Sequence, residues 1–442
     1  MGNRIRYKVE DLLTGKEIWK NYLSLKESQW WDAERTKEFQ EQKLSRLLRH
    51  CYNNVPVYKR LMKEAGLHPD NLDGDQVLTR LPVIDKQFIL NRAEDFIPSN
   101  NNSIRGIQHG KTSGTTGQVL LYMNDAVSRS VVWASFLRFK DWMGYDPRNP
   151  FIIFRGRNFV SESRIDRLRL YAIDFIKNYR TLDAYKLKSE DIDRLVRLLD
   201  RYPKAVIRGY VLTMVDIARI LNRRGLSYSI QAVNTTAEPL LDFHRKIIGS
   251  AFNCGIFDQY GFGEIGGVAY ECDRHEGMHI TEEHVMVETD KNGELIITDL
   301  DNYAFPFIRY RTGDRGNISD LPCSCGRKSG VIKGIDGRTS DNVVGLNGMS
   351  LHWGYFHHLL IYTGIASERN MVKFQVIQTE PGLITINLVA ETLDENDKNK
   401  LIGLVKEKLG PMQVIINNVD DIPHDQSGKF RAVISGLFNY KA

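Results

Sequence analysis

Apolar residues recur at helical spacing across residues 26–51, where Trp30, Trp31, Phe39, Leu44, Leu47 and Leu48 interleave with charged and amide side chains. The pattern predicts one helix, with both tryptophans packed on the body of the protein, ended by Asn53-Asn54-Val55-Pro56. A short helix is expected over 57–65, and Leu81-Pro82-Val83 reads as a turn into another that carries Phe88 and Leu90. From Ile104 the texture changes. Residues 106–117 read as loop and 119–123 as a short strand. Apolar runs at 151–154, 205–207, 230–233 and 255–258 then alternate with helical patterns over 126–143, 190–199, 211–222 and 239–248. Strands alternating with helices at this spacing predict an α/β unit with a largely parallel sheet.

Beyond Gly266 the pattern turns to strands. Residues 285–289 and 294–298 flank Asp290-Lys291-Asn292-Gly293, a hairpin signal. Residues 307–310 lead into a loop, and the stretch 331–335 ends at Asp336-Gly337-Arg338. A helix at 355–361, strands at 374–378 and 383–389, a long helix at 395–409 and a strand at 413–416 make a last α+β unit. With about a hundred residues it is large enough to fold by itself. The fold class is therefore α/β: a large multi-layer N-terminal unit of sheets and helices, residues 1–337, and a small α+β unit, residues 338–442.

Composition changes this picture little. At 442 residues with a net charge of +5 the chain admits anionic ligands such as nucleotides, but it shows no clustered basic stripe of the kind nucleic acid requires. No apolar run approaches the roughly 18 residues of a transmembrane helix. The first residues lack a signal-peptide core, and Arg6 stands where a myristoylation signal needs Ser or Thr. Five cysteines, odd in number and unevenly spaced, argue against a disulfide framework and for a reducing, cytoplasmic location.

Four glycine-marked stretches carry candidate chemistry. Lys111-Thr112-Ser113-Gly114-Thr115-Thr116-Gly117 combines backbone freedom, four hydroxyl side chains and an ammonium, a composition suited to cradling phosphate, although a polar surface turn would look alike. It is not the Gly-Lys-Ser/Thr phosphate loop. Gln259-Tyr260-Gly261-Phe262-Gly263-Glu264-Ile265-Gly266 follows a predicted strand, where α/β sheets bind ligands. There Tyr260 offers a flat face to a base, and Glu264 a hard oxygen for Mg²⁺ beside phosphates. Tyr310-Arg311-Thr312-Gly313-Asp314 sets a carboxylate after a glycine turn, able to accept from two ribose hydroxyls. Ser427-Gly428-Lys429-Phe430-Arg431 presents a lysine from the small unit.

In this order the four stretches, with Gly337-Arg338 and Asp341, resemble the adenylate-forming enzymes, a superfamily of acyl-CoA synthetases, adenylation domains and luciferases. Within it the chain looks like the phenylacetate–CoA ligase branch, including relatives from polysaccharide biosynthesis. Leu47-Leu48-Arg49-His50-Cys51-Tyr52-Asn53-Asn54-Val55-Pro56-Val57-Tyr58 is similar to that branch's amino-terminal motif. The resemblance implies a two-step reaction in which a carboxylate attacks the α-phosphate of ATP, and the acyl-adenylate then passes its acyl group to a nucleophile, commonly coenzyme A. It implies that Ser113, Gly114, Thr115, Thr116 and Gly117 hold phosphate and that Glu264 ligates Mg²⁺. Asp314, helped by Arg338, would take the ribose, while Thr236, Ala237, Glu238, Gln259, Tyr260 and Gly261 line the adenine pocket. Lys429 would lie between carboxylate and α-phosphate on a mobile C-terminal domain that hinges near Ser340 and Asp341. Gly263 departs from the Thr or Ser that usually precedes the glutamate, and Ser340 from an acidic hinge residue.

Cys323-x-Cys325 in a tight turn, with Cys272 earlier, suggests a structural Cys₃His zinc site. Some members of the resembling branch carry a zinc at this place. His279 is the first choice for the nitrogen and His275 the alternative; buried thiols without metal would give the same sequence. Three functions stay open at this point: acid–CoA ligase, adenylation followed by acyl or aminoacyl transfer to an amine, and a non-catalytic nucleotide-binding scaffold. The expected partners are a small carboxylic acid, ATP and an acyl acceptor, in a monomer or homodimer.

Overall fold

The apolar run Phe151–Arg155 lies inside a five-stranded parallel sheet in the order Tyr179–Asp183, Phe151–Arg155, Val206–Tyr210, Ala232–Thr236, Gly255–Phe257. Strands covered on both faces need no polar alternation, which is why these runs are continuously apolar. The computed structural model describes residues 7–8, 11, 16–69, 78–112, 119–155, 174–183, 189–319, 321–338, 342–423 and 430–435. Helices Ser189–Arg201, Val211–Arg223 and Asp242–Phe252 pack their apolar stripes on one face of the sheet.

The other face receives the helix Ala126–Trp142, capped by the Asp125 carboxylate accepting from Ser128 N at 2.9 Å. This helix is wedged between the parallel sheet and a second, seven-stranded antiparallel sheet, so it is buried nearly all round, Arg138 and Lys140 included. Charges so placed require partners. Arg138 pairs with Glu283 at 2.7 Å, and Lys140 donates to the Tyr179 hydroxyl at 2.9 Å among the rings of Phe136, Tyr145 and Phe151.

The seven-stranded sheet runs Val285–Thr289, Glu294–Asp299, Tyr310–Ser319, Val331–Arg338, Met278–Ile280, Gly266–Glu271, Gln259–Phe262. The predicted hairpin at 290–293 forms its first connection. A four-stranded sheet, Gln413–Asn418, Leu383–Val389, Lys373–Gln378, Val433–Ser435, makes a separate core with helices Trp353–Tyr362 and Glu395–Leu409. No helix among the described residues is long and apolar enough to cross a membrane.

Several expectations are corrected. The amino-terminal helix is two, Ile18–Ser28 and Ala33–Asn54, because the Asp32 carboxylate accepts from Arg35 N and starts the second. Trp30 falls in the break and is 54% exposed rather than packed away. The expected loop over 106–117 contains the strand Gln108–Lys111, paired with Leu121–Asn124. The stretch 310–314 is not a loop but the start of a ten-residue strand whose register shifts around Gly316. Tyr179–Asp183 was not foreseen at all.

Candidate functional site

A cleft of about 560 Å³ opens at the carboxyl ends of Ala232–Thr236 and Gly255–Phe257, the end of an α/β sheet at which ligands bind. Ala237, Glu238, Gln259, Tyr260, Gly261 and Asp314, six positions singled out in the sequence, line it together. They arrive from different elements. Ala237 holds φ +69, a left-handed backbone that costs a residue with a Cβ about 1–3 kcal/mol and persists where its surroundings enforce it. Gln259 Nε2 donates to Thr236 Oγ1 at 3.2 Å, tying the two loop segments to each other.

Tyr260 is only 8% exposed, and its hydroxyl donates to Asp314 Oδ2 at 2.9 Å. This bond ties the carboxylate to the ring, and both residues line the cleft. Asp314 sits directly opposite Arg338 in the antiparallel register, so the two are placed on adjoining strands by the sheet itself. Glu264 lies in the turn between Gln259–Phe262 and Gly266–Glu271, with its side chain buried. That turn is fastened from below. His284 Nε2 donates to the Ile265 carbonyl at 3.0 Å, and its Nδ1 faces Asp301 at 2.9 Å. Burial alone would discharge His284, but Asp299 and Asp301 outweigh it and hold the ring's pKa above its ordinary value. Lys43 completes this buried group at 2.6 Å from Asp301.

Glu238 has a task that its motif did not reveal. One carboxylate oxygen accepts from Leu212 N at 2.9 Å, at the start of helix Val211–Arg223; the other accepts from Phe430 N at 2.8 Å. Phe430 immediately follows Lys429, so Glu238 holds the small unit's chain at the mouth of the cleft. Lys373 of the small unit, 2% exposed, reaches across to Asp216 on helix Val211–Arg223 at 3.0 Å and to Asp421 at 2.8 Å.

Beneath the cleft, Glu271 receives Arg245 at 2.7 Å and the Asp258 backbone N–H at 2.7 Å. Burial, reinforced by the Glu271 charge, pushes the Asp258 carboxyl up to about 7. No sequence motif marked this group. It arises where two strands and a helix converge. Ser113, Gly114, Thr115, Thr116, Gly117, Lys429, Ser340 and Asp341 lie outside the described residues, as does the Arg338 side chain.

The ligand atoms of Cys272, His279, Cys323 and Cys325 all lie within 4.8 Å of one another. Cys272 Sγ and Cys323 Sγ are 3.6 Å apart, and Cys325 Sγ is 3.3 Å from His279 Nε2. The other ring nitrogen, Nδ1, meets Ser329 Oγ at 3.0 Å, an outer contact that leaves Nε2 for a metal. His275 turns elsewhere: it packs at a tilt against Phe257 and faces Glu271 at 3.4 Å. We propose a structural zinc held by these four residues, with no open position for chemistry. Elemental analysis of protein purified without chelator should give close to one zinc per chain; a stoichiometry near zero would rule it out.

The family model described as the CapK C-terminal domain matches residues 347–436. The chain is 25% identical to protein CapK of Staphylococcus aureus over 420 residues, covering 90% of this chain and 89% of that one. It is 26% identical to phenylacetate–coenzyme A ligase of Thermus thermophilus over 343 residues, 70% of this chain and 72% of the ligase. Among solved structures it shares its fold with 2-hydroxyisobutyryl-CoA ligase in the postadenylation state, at TM-score 0.71 and 17% identity, over 93% of this chain and 92% of that one. Against the same ligase in its thioesterification state the TM-score is 0.59, at 18% identity over 92% of this chain and 91% of that one.

Proposed function

We propose that this chain, which belongs to the adenylate-forming superfamily on the branch of CapK and the phenylacetate–CoA ligases, activates a carboxylic acid with ATP and passes the acyl group to a thiol, coenzyme A first. The observation that carries the reading is one cleft. It gathers 237–238, 259–261 and Asp314 from the large unit and brings Phe430 and Arg431 from the small one to the same mouth.

In the first step a carboxylate oxygen forms a bond to the α-phosphorus, and pyrophosphate leaves with the electron pair of the broken P–O bond. Asp314, steadied by Tyr260 and backed by Arg338, takes the ribose hydroxyls, and the backbone of 236–238 and 259–261 frames the base. The Ser113–Gly117 stretch grips the departing phosphates. Glu264 would hold Mg²⁺, which neutralises phosphate charge when bound. Lys429 supplies a fixed cation where negative charge builds. In the second step a thiolate attacks the acyl carbon and AMP leaves. We further propose that the units divide at residues 337 and 338, that Ser340 and Asp341 form the hinge between the two steps, and that the chain works in the cytoplasm.

A second reading keeps the first step and sends the acyl group to an amine. The likeness to indoleacetate–lysine synthetase of Pseudomonas savastanoi, 23% identical over 243 residues, favours it, since that relative is named for joining an acid to an amino acid. One experiment addresses both. With ATP, Mg²⁺ and a panel of carboxylic acids the protein should release pyrophosphate, and hydroxylamine should capture the acyl group as a hydroxamate. Adding coenzyme A or amines to the preformed adenylate then assigns the acceptor. No release above background across a broad panel would leave only nucleotide binding.

A further inference from the structure

We propose that the Tyr122 hydroxyl is a further nucleotide-binding group, donating to a phosphate oxygen of ATP beside Glu264. The proposal rests on the adenylation reading for its ligand and on three residues for its geometry. Tyr122 stands in the strand Leu121–Asn124, directly opposite Gly110 in register. A Cβ on Gly110 would run into the tyrosine ring, so the ring lies flat across a glycine that leaves room for it. The far end of the ring reaches a different element. A Cβ on Gly263 would stand 2.5 Å from Tyr122 Oη, which means that the phenol occupies the space a side chain at 263 would fill. Two glycines on separate elements thus accommodate one ring and set its hydroxyl against the turn that carries Glu264.

The chemistry of the hydroxyl agrees with that placement. Tyr122 is 8% exposed, and among the described residues its hydroxyl has no hydrogen-bond partner. The ring is buried but its oxygen is not among the enclosed partnerless atoms, so it remains open to a ligand, and a hydroxyl facing an anionic ligand gains more than one facing a neutral group. Burial, with the Glu264 charge added, pushes the phenol up to about 12, so it remains a donor throughout the neutral range. Glu264 would hold the metal and Tyr122 would hold an oxygen, a division that lets neighbouring residues address one phosphate without competing. A serine or threonine at 263 could offer a hydroxyl to the same space; with glycine there, the tyrosine reaches in from the facing strand.

Tyr122→Phe keeps the ring on Gly110 and removes only the oxygen. Titration with Mg-ATP should show Kd rising about ten- to a hundredfold, the loss of one hydrogen bond to a charged group, while adenosine binds as before. The kcat/KM for pyrophosphate release should fall by a similar factor. Tyr122→Ala empties the space, and adding Gly263→Thr to it should restore part of the ATP affinity, because a new hydroxyl enters the vacated volume. Unchanged ATP affinity in Tyr122→Phe, equal weakening of ATP and adenosine, or no recovery in the double variant would each overturn the proposal. If no acid supports pyrophosphate release but ATP affinity still drops in Tyr122→Phe, the adenylation reading fails and the phosphate contact stands.

Discussion

Replacing Lys429 with alanine is expected to slow pyrophosphate release about 10²–10³-fold while leaving the affinity for ATP largely intact. The size follows from removing one preorganised charge from a water-poor site, worth about 2–4 kcal/mol in the transition state. The selectivity follows from where the charge acts. A cation between the attacking carboxylate and the α-phosphate meets its largest negative charge as the new bond forms, so it lowers the barrier more than it strengthens binding. The adjacent chain is already anchored for this work: Phe430 N is held by Glu238 at 2.8 Å at the edge of the cleft. Single-turnover release of labelled pyrophosphate, alongside calorimetric titration of ATP, separates the two effects. Parallel losses in rate and affinity would mean that Lys429 is a binding residue, and a change of only a few-fold would remove it from the reaction.

The second large effect concerns stability. Arg138→Met should destabilise the large unit by about 3–5 kcal/mol, because it leaves the Glu283 carboxylate buried without its counter-charge. Arg138 is 3% exposed, lies 2.7 Å from Glu283 and also donates to the Leu25 carbonyl at 3.2 Å. Burial would raise the Glu283 pKa, but Arg138 and the Ser28 hydroxyl together hold it below the ordinary glutamate value. The sign of the pH dependence is then fixed. A depressed folded-state pKa means stability that is present above the ordinary value near 4.5 and is lost as the pH falls through the folded one. Chemical denaturation at neutral pH should therefore show the full gap between variant and parent, with the gap narrowing on acidification below pH 4.5. Arg138→Met combined with Glu283→Gln should regain much of the loss; if it regains none, packing around Trp142 rather than charge is responsible.

What the sequence disclosed and what it concealed divide along physical lines. Phe151–Phe154 could be read as a buried parallel strand because both its faces are covered, and Glu395–Leu409 was bounded correctly because Asp394 caps its start and Gly410 ends it. The strand Gln108–Lys111 gave no such signal. It is polar and largely exposed, and it exists because Leu121–Asn124 pairs with it. Tyr310–Ser319 was hidden by Gly313, which reads as a turn residue but sits at φ +79 within the strand. Tyr260 and Asp314, which line the cleft, were visible because short motifs mark them. The bond between Tyr260 and Asp314, the double grip of Glu238 and the group around Glu271 were not, since each joins residues that only the folded chain brings together.

The contact between the two units has an asymmetry that bears on how quickly they could separate. Lys373 is the most deeply buried member of its ion-pair group, yet Asp421, one of its two partners, belongs to the same small unit. In a cycle that alternates two poses, the lysine would leave with a carboxylate still attached and would never stand bare in an apolar interface. Within this ion-pair group Asp216 would lose its partner, and its side chain is already 22% exposed to water that can replace the ammonium. If the two units exchange poses as proposed, this ion-pair group would let go without stranding a buried charge.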